Sequence, residues 1–337
     1  MTRLPLTYNP TRRQAIATAT AGLAFAGGCS RAGERVLRCA DAQPLGYPTV
    51  EAVIYMMGLL EERSGQRLRT KVYSGAQLGE EKDTLEITIF GGLDLNRVNI
   101  APLNSIARQT LVASLPFMFR STEHMRAAMD GAPGEAILKA LEPHGLIGLC
   151  FYDSGARSFY TTSRAINTPD DLKNLKIRVQ NSDLYVSMVE ALGGDATPMP
   201  YSEVYQALLQ GVVDGAENNW PSFESSRHFE AAKYYSLTRH VMAPEVLVMS
   251  AKRWRKLSTE DQELIRVCAK DSVPYMRDLW DARAARSREI VLASGVEVNE
   301  PDILPFQEKV RPVWEKYLNT PELKELADSI QAVEVAG

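Results

Sequence analysis

The chain has 337 residues, 45 % of them hydrophobic and 24 % charged. That length suits two domains or one large one, and the balance is that of an ordinary globular protein, which excludes disorder, collagen or coiled coil as a description of the whole. Lys+Arg 38 against Asp+Glu 42 leaves a net charge of −4, the wrong sign for holding nucleic acid through a basic face.

The N-terminus reads as an address. Thr11-Arg12-Arg13-Gln14 precedes an apolar, Ala/Gly-rich stretch from Ala15 to Ala26, and Gly27-Gly28-Cys29 follows. A basic region, a short apolar region and small residues make an export signal over residues 1–28. The apolar region is too short for a bilayer span of ~20 residues. The adjacent arginines resemble a twin-arginine signal. Cys29 leaves two readings open: a lipoprotein site where the cysteine carries lipid, or plain cleavage after Gly28 or later. Removing residues 1–28 takes away Arg3, Arg12 and Arg13 and no acid, so 38 basic residues become 35 against 42 acidic, a net charge of −7. A periplasmic product is expected, touching the membrane only through a partner or a lipid on Cys29. Cys39, Cys150 and Cys268 lie in apolar runs without metal-type spacing, and read as buried free thiols.

Val36–Ala40 predicts a strand, followed by an amphipathic helix capped by Thr49 and stopped at Ser64-Gly65. Leu68–Tyr73 predicts a second strand, Glu80–Phe90 a helix ended by Gly91-Gly92, and Leu93–Ile100 a third strand. The order β-α-β-α-β is that of a parallel sheet with helices on its faces. The pattern returns with strands at Leu146–Tyr152, Ser158–Thr162, Lys176–Gln180, Thr197–Met199 and Val213–Glu217. Between them fall a short helix from Thr168-Pro169-Asp170-Asp171, a helix over Ser182–Leu192, and one over Glu203–Leu209 capped by Ser202. Ser258-Thr259-Glu260-Asp261 opens a helical pattern to about Ala293, which Pro274 should interrupt with a kink. Arg283, Arg286 and Arg288 on it read as a solvated face. Two α/β halves imply a cleft between them.

No H-E-x-x-H, G-x-S-x-G, Walker loop or G-x-G-x-x-G occurs. The glycine pairs follow helices and read as C-caps. Acidic pairs such as Glu61-Glu62 and Glu80-Glu81 read as solvated helix surface. Polar residues instead gather at strand ends: Ser154-Gly155-Ala156-Arg157, Arg178-Val179-Gln180-Asn181 and Ala216-Glu217-Asn218-Asn219-Trp220. In parallel α/β sheets ligands bind beyond the carboxyl ends of strands. Two arginines with several amides suit a small organic anion, because a guanidinium grips a carboxylate in plane and amides satisfy hydroxyls. The residues alone also allow Arg157 and Arg178 to be structural ion pairs.

Four ordered motifs resemble the solute receptors of TRAP (tripartite ATP-independent periplasmic) transporters, over about Leu37 to Ile330. They are Ser74–Gly79 (SGAQLG), Thr168–Val179 (TPDDLKNLKIRV), Thr197–Tyr205 (TPMPYSEVY) and Gly211–Asn218 (GVVDGAEN). The resemblance implies a two-lobed α/β periplasmic-binding-protein (flytrap) fold, with long helices bridging the lobes. Residues 36–152 would form mainly the first lobe, 153–250 mainly the second, and 251–337 a helical segment packed across both.

The resemblance also implies the site. Arg178 pairs with the ligand carboxylate, Arg157 helps to hold the acid, and Asn218 matches the asparagine of the Asp-Gly-x-Glu-Asn motif. Asn181 matches a polar residue three past the key arginine, Tyr201 an aromatic that packs on the ligand, and Asn99 a polar contact from the first lobe. Gln43 lies in the loop that does likewise. Tyr47, Tyr152 and Glu217 follow as second contacts. Many relatives carry Asn-Pro after the glutamate, whereas Asn218-Asn219-Trp220 here adds the Asn219 amide and an indole. These features resemble the subgroup that binds sugar acids, especially hexuronates, whose buried hydroxyls need amide and carboxylate partners.

The expected function is therefore capture of a sugar acid and its delivery to the TRAP membrane permease, without catalysis, ATP, metal or cofactor. A C4-dicarboxylate or other small carboxylate is the alternative ligand. An exported sugar-acid enzyme is a further alternative, with His240 and Glu245 as its acid/base pair.

Overall fold

The computed structural model describes residues 35–335. The export signal and Cys29 lie outside them. In chain order the strands are β1 (Arg35–Asp41), β2 (Leu68–Tyr73), β3 (Leu95–Asn99), β4 (Leu146–Tyr152), β5 (Arg157–Thr161), β6 (Lys176–Val179), β7 (Asp195–Pro198), β8 (Gly215–Asn218), β9 (Tyr234–Val241), β10 (Glu245–Ser250) and β11 (Glu297–Asn299). They form two sheets, ordered β2-β1-β3-β10-β4 and β11-β9-β5-β8-β6-β7. The mixed α/β, two-lobed architecture expected from the motifs is the one observed.

Each sheet has a parallel part built by β-α-β units: β1 with β2 and β3, and β6 with β7 and β8. Antiparallel strands complete them. β10 pairs with both β3 and β4, and β5 with both β8 and β9. β10 lies within the stretch 153–250 expected mainly in the second lobe, yet it belongs to the first sheet. Every residue of β10 is buried, as a strand flanked on both edges and covered on both faces requires. Its continuous apolar run carries no alternation to reveal its place. β11, in the C-terminal segment expected to be helical, adds an edge to the second sheet.

Two extended segments therefore cross between the sheets: 153–156, from β4 to β5, and 242–244, from β9 to β10. The third link is the helix Thr259–Ala293, which packs on the helix Pro48–Arg63 and β4 on one side and on the helix Trp220–Ser225 on the other. Ser258 caps it by accepting a hydrogen bond from the Asp261 N–H at 3.1 Å. It continues as one helix through Pro274. Packing of its buried face, from Ile265 through Met276 to Trp280, outweighs the single backbone bond that proline removes.

Three local expectations are corrected. Pro48, with φ already suited to a helix, starts the first helix one residue before Thr49, which is buried inside it. Ser202 lies within a 3-10 turn, Tyr201–Glu203, that feeds the helix Val204–Leu209. Arg283 is half-buried and forms an ion pair with Glu224 of the helix Trp220–Ser225, while Arg286 and Arg288 are exposed. The thiols of Cys39, Cys150 and Cys268 are free and buried, as their apolar runs predict.

The 153–156 crossing depends on Gly155. Its φ is +59°, and a Cβ there would lie 3.1 Å from the Trp280 ring. Gly155→Ala should therefore cost about 1–3 kcal/mol, from left-handed backbone and ring crowding together. Urea unfolding is the check, and a midpoint equal to wild type would show that the crossing is not so constrained.

Candidate ligand-binding site

The sheet pairing explains why distant residues meet. Parallel strands β1, β3, β6 and β8 bring their carboxyl ends to one side. Antiparallel neighbours bring their starting ends to the same side, so Glu245 of β10 stands opposite Asn99 of β3, and Arg157 of β5 begins beside Asn218 of β8.

Arg178 sits in β6 between β7 and β8 and is only 2 % exposed. Its Nε and Nη2 donate to the Met199 carbonyl at 3.1 and 2.8 Å. Its Nη1 is buried without a partner. The Tyr201 ring lies 5.9 Å away, held by the Tyr201 hydroxyl donating to the Ser222 carbonyl at 3.0 Å. Burial lowers the pKa of this guanidinium, because it removes water and no carboxylate replaces it.

Arg157 is the opposite case. Its Nε donates to Glu217 Oε2 at 2.5 Å and its Nη2 to Glu217 Oε1 at 2.7 Å, a bidentate pair. Nη1 donates to Asn218 Oδ1 at 2.9 Å. Burial pushes the Glu217 carboxyl up, but Arg157 and His240 pull it down further, to about 2. The His240 Nε2 lies 3.6 Å from Glu217 Oε2, and burial lowers the pKa of its imidazole. The Arg157 guanidinium is thus neutralised inside the protein, the structural ion pair that the residues alone allowed. Its bonds orient Asn218, whose amide nitrogen donates to no protein atom among the described residues.

The first sheet contributes a third buried guanidinium, Arg97. Its Nε donates to Asp41 Oδ2 at 2.8 Å, and its Nη2 pairs with Asp41 Oδ1. Its Nη1 reaches Glu245 Oε2 at 2.6 Å and Glu81 Oε1 at 3.1 Å. Asn99 joins them: its Nδ2 donates to Glu245 Oε1 and its N–H to Glu81 Oε1, both at 3.0 Å. Burial and the neighbouring Glu245 outweigh Arg97 and raise the Glu81 pKa to about 7.

Both halves face one cleft. An inner compartment of about 310 Å³ is lined by Gln43, Glu81, Asn99 and Glu245 on the first-sheet side and by Arg157, Gln180, Tyr201 and Asn218 on the other. An adjoining compartment of about 320 Å³ shares Glu81, Gln180 and Tyr201 and adds Arg178 and Asn181. The Gln43 and Gln180 Oε1 atoms are buried here without partners. A larger concavity of about 910 Å³, between Phe117 and Trp314, has no buried cation.

Seven of the residues expected at the site thus line the cleft: Arg178, Arg157, Asn218, Asn181, Asn99, Tyr201 and Gln43. Four are engaged elsewhere. Glu217 is consumed by Arg157, and Asn219 caps the helix Trp220–Ser225 and donates to the Ser154 carbonyl at 2.7 Å. The Tyr152 hydroxyl bonds Ser272 Oγ at 2.7 Å, and the Tyr47 hydroxyl bonds Ser222 Oγ at 2.8 Å. Gln180, Glu81 and Arg97 are not among the ligand contacts expected from the sequence, and Glu245 enters there only as the acid/base partner of His240. Glu81 looked like solvated helix surface; instead the helix Glu81–Ile89 points its first residue at Arg97. The invitation of an anion by that helix start and the proximity of the SGAQLG motif were the available signals. Glu245 carries none until strand pairing is known. The candidate acid/base pair is not formed, since His240 faces Glu217 and Glu245 faces Arg97.

Because the folded-state pKa of Glu217 lies below its unfolded value of ~4.3, its ionisation stabilises the fold above that value. The stabilisation disappears as pH falls from about 4.3 toward about 2. Glu217→Gln should be less stable at pH 7 by about 3–5 kcal/mol, having orphaned Arg157, and should lose less further stability on acidification. Parallel acid-unfolding curves for the two proteins would contradict this.

The family model for bacterial extracellular solute-binding protein, family 7, matches residues 39–320. A TRAP periplasmic solute-binding protein from Bradyrhizobium sp. BTAi1, solved in complex with α/β-D-galacturonate, is 53 % identical with a TM-score of 0.88, over 89 % of this chain and 100 % of that one. One from Chromohalobacter salexigens, solved with D-glucuronate, is 42 % identical with a TM-score of 0.85, over 88 % of this chain and 99 % of that one. A curated solute-binding protein of the same organism is 43 % identical over 86 % of this chain and 87 % of its own length. The fold is thus shared with these proteins, and the chain belongs to family 7 of the bacterial extracellular solute-binding proteins.

Proposed function

We propose that the protein is the periplasmic receptor of a TRAP transporter, that it captures a hexuronate such as glucuronate or galacturonate, and that it hands the acid to the transporter's membrane permease. The observation that carries this reading is Arg178, a buried guanidinium with an unpartnered Nη1 and, among the described residues, no carboxylate paired with it. An isolated buried charge is costly, and a ligand carboxylate relieves that cost. Arg178 supplies the acid contact, Tyr201 the face against which the ligand packs, and Asn218, Asn181, Asn99 and Gln43 the amides for hydroxyls. Relatives of this fold solved with galacturonate and glucuronate support the same ligand class. Among the described residues no helix is long and apolar enough to cross a membrane, so transport needs a partner that does.

Closure follows from the crossings. With few chain connections between the sheets, hinge motion at 153–156 and 242–244 brings the two linings together. An acid bound only to the second sheet becomes enclosed when Gln43, Asn99 and Glu81 meet its hydroxyls. The receptor is a transport protein and not an enzyme, in keeping with its family. A C4-dicarboxylate fits less well, because a ligand without hydroxyls leaves the amides and carboxylates of the cleft unpaired.

Two measurements test the assignment. Arg178→Ala should weaken hexuronate binding by ~2–5 kcal/mol in calorimetry, and Arg178→Lys should not restore it, because an ammonium lacks the planar two-point grip. Near wild-type affinity in the alanine variant would overturn the role of Arg178. In a thermal-shift panel of uronates, aldonates and dicarboxylates, a hexuronate at 100 times its Kd should stabilise by ~2.7 kcal/mol. A shift with dicarboxylates alone would replace the sugar acid by the alternative ligand.

A further inference from the structure

The charges that line the cleft are unequally distributed. On the second-sheet side Arg157 is cancelled by Glu217, and Arg178 is left as a cation without a carboxylate. On the first-sheet side Asp41, Glu81 and Glu245 all converge on the single guanidinium of Arg97. That end therefore holds two more negative charges than positive when all are ionised. Glu81 Oε1 accepts from Arg97 and from the Asn99 N–H, while its Oε2 has no protein donor among the described residues. Glu81 lines both compartments of the cleft, the outer one together with Arg178, whose Nη1 has no partner and which is 2 % exposed. The other charged residues of the outer rim are Glu80 and Lys82, and the Lys82 side chain is exposed.

We infer that this end of the cleft is a charge filter: Glu81, backed by Glu245 and Asp41, accepts hydrogen bonds from the hydroxyl end of a monocarboxylic sugar acid and turns away acids that carry a second carboxylate there. The inference rests on the hexuronate reading and adds to it the class that is refused. Arg97 is already shared among three carboxylates and has no further positive charge to offer. A carboxylate brought to Glu81 meets like charge in a poorly hydrated site, where repulsion is strong. A hydroxyl in the same place donates to the free Oε2 and costs nothing in charge. Burial above all raises the pKa of Glu81, Arg97 opposes the rise, and Glu245 adds to it. The filter also fixes orientation, with the carboxylate toward Arg178 and the hydroxyls toward Glu81.

The test compares a hexuronate, the linear hexonate and the linear hexarate by calorimetry at pH 8. Hexonate and hexarate share one carbon skeleton and differ by the second carboxylate, so shape is controlled. Wild type should bind the hexarate at least ~100-fold more weakly than the hexonate. Glu81→Gln, which keeps the shape and removes the charge, should narrow that ratio at least ~10-fold by strengthening hexarate binding. Hexarate and hexonate bound equally by wild type would overturn the filter, and that comparison needs no variant. A Glu81→Gln protein that weakens both ligands in proportion would overturn the role of Glu81. Hexuronate binding with no discrimination sinks the filter alone, whereas no binding of any monocarboxylic sugar acid sinks the functional reading and the filter with it.

Discussion

A positive charge buried without a counter-charge is the constraint around which the molecule is arranged. Arg178 is as buried as Arg97 and Arg157, yet those two are held by carboxylates of the protein and Arg178 is held by one backbone carbonyl. A fold selected for stability alone would pair all three, since an unpaired interior charge costs several kcal/mol. In the proposed function, the missing anion is the one that a bound acid supplies. The surrounding pairs keep the deficit from being met internally: Glu217, whose charge acts on Arg178, is committed to Arg157.

The sheet topology keeps that deficit in the right place. Parallel strands alone would collect only carboxyl ends. By running β5 and β10 antiparallel to their neighbours, the fold brings Arg157 and Glu245 to the same side as Asn218 and Asn99. The same two strands begin where the chain crosses between sheets. Arg157 and Glu245 thus directly follow the crossings, so in the proposed hinge motion a small rotation there would bring the two linings together. The long helix Thr259–Ala293, packed on both sides, limits that rotation, and Trp280 presses on Gly155 at the crossing itself.

Much of this was legible in the chain and some was not, for separable reasons. The parallel strands and their helices announce themselves because each β-α-β step is local: Leu68–Tyr73 and Leu146–Tyr152 are found where the pattern places them. β10 was hidden because a strand buried on both faces has no alternation, and nothing local says which sheet it joins. The site divides in the same way. Arg178 and Asn218 stand in motifs at strand ends and could be named. Glu81 and Glu245 become site residues only through Arg97, whose three partners come from β1, a helix start and β10. Glu217 lies next to Asn218 in β8, but neighbouring residues of a strand point to opposite faces and its side chain pairs with Arg157, while Asn219 lies just past the strand and caps the next helix.

Net charge completes the physical picture. The whole chain is acidic, at −4, so its distant field repels an anionic ligand weakly, and at physiological salt that field fades within about 8 Å. Capture therefore cannot depend on long-range steering. It depends on what the acid meets inside the cleft, where water is scarce and each charge acts at close range. There the protein presents a lone guanidinium at one end and surplus carboxylate at the other. A molecule with one negative end and one hydroxylated end matches both, and the match needs no net attraction between protein and ligand.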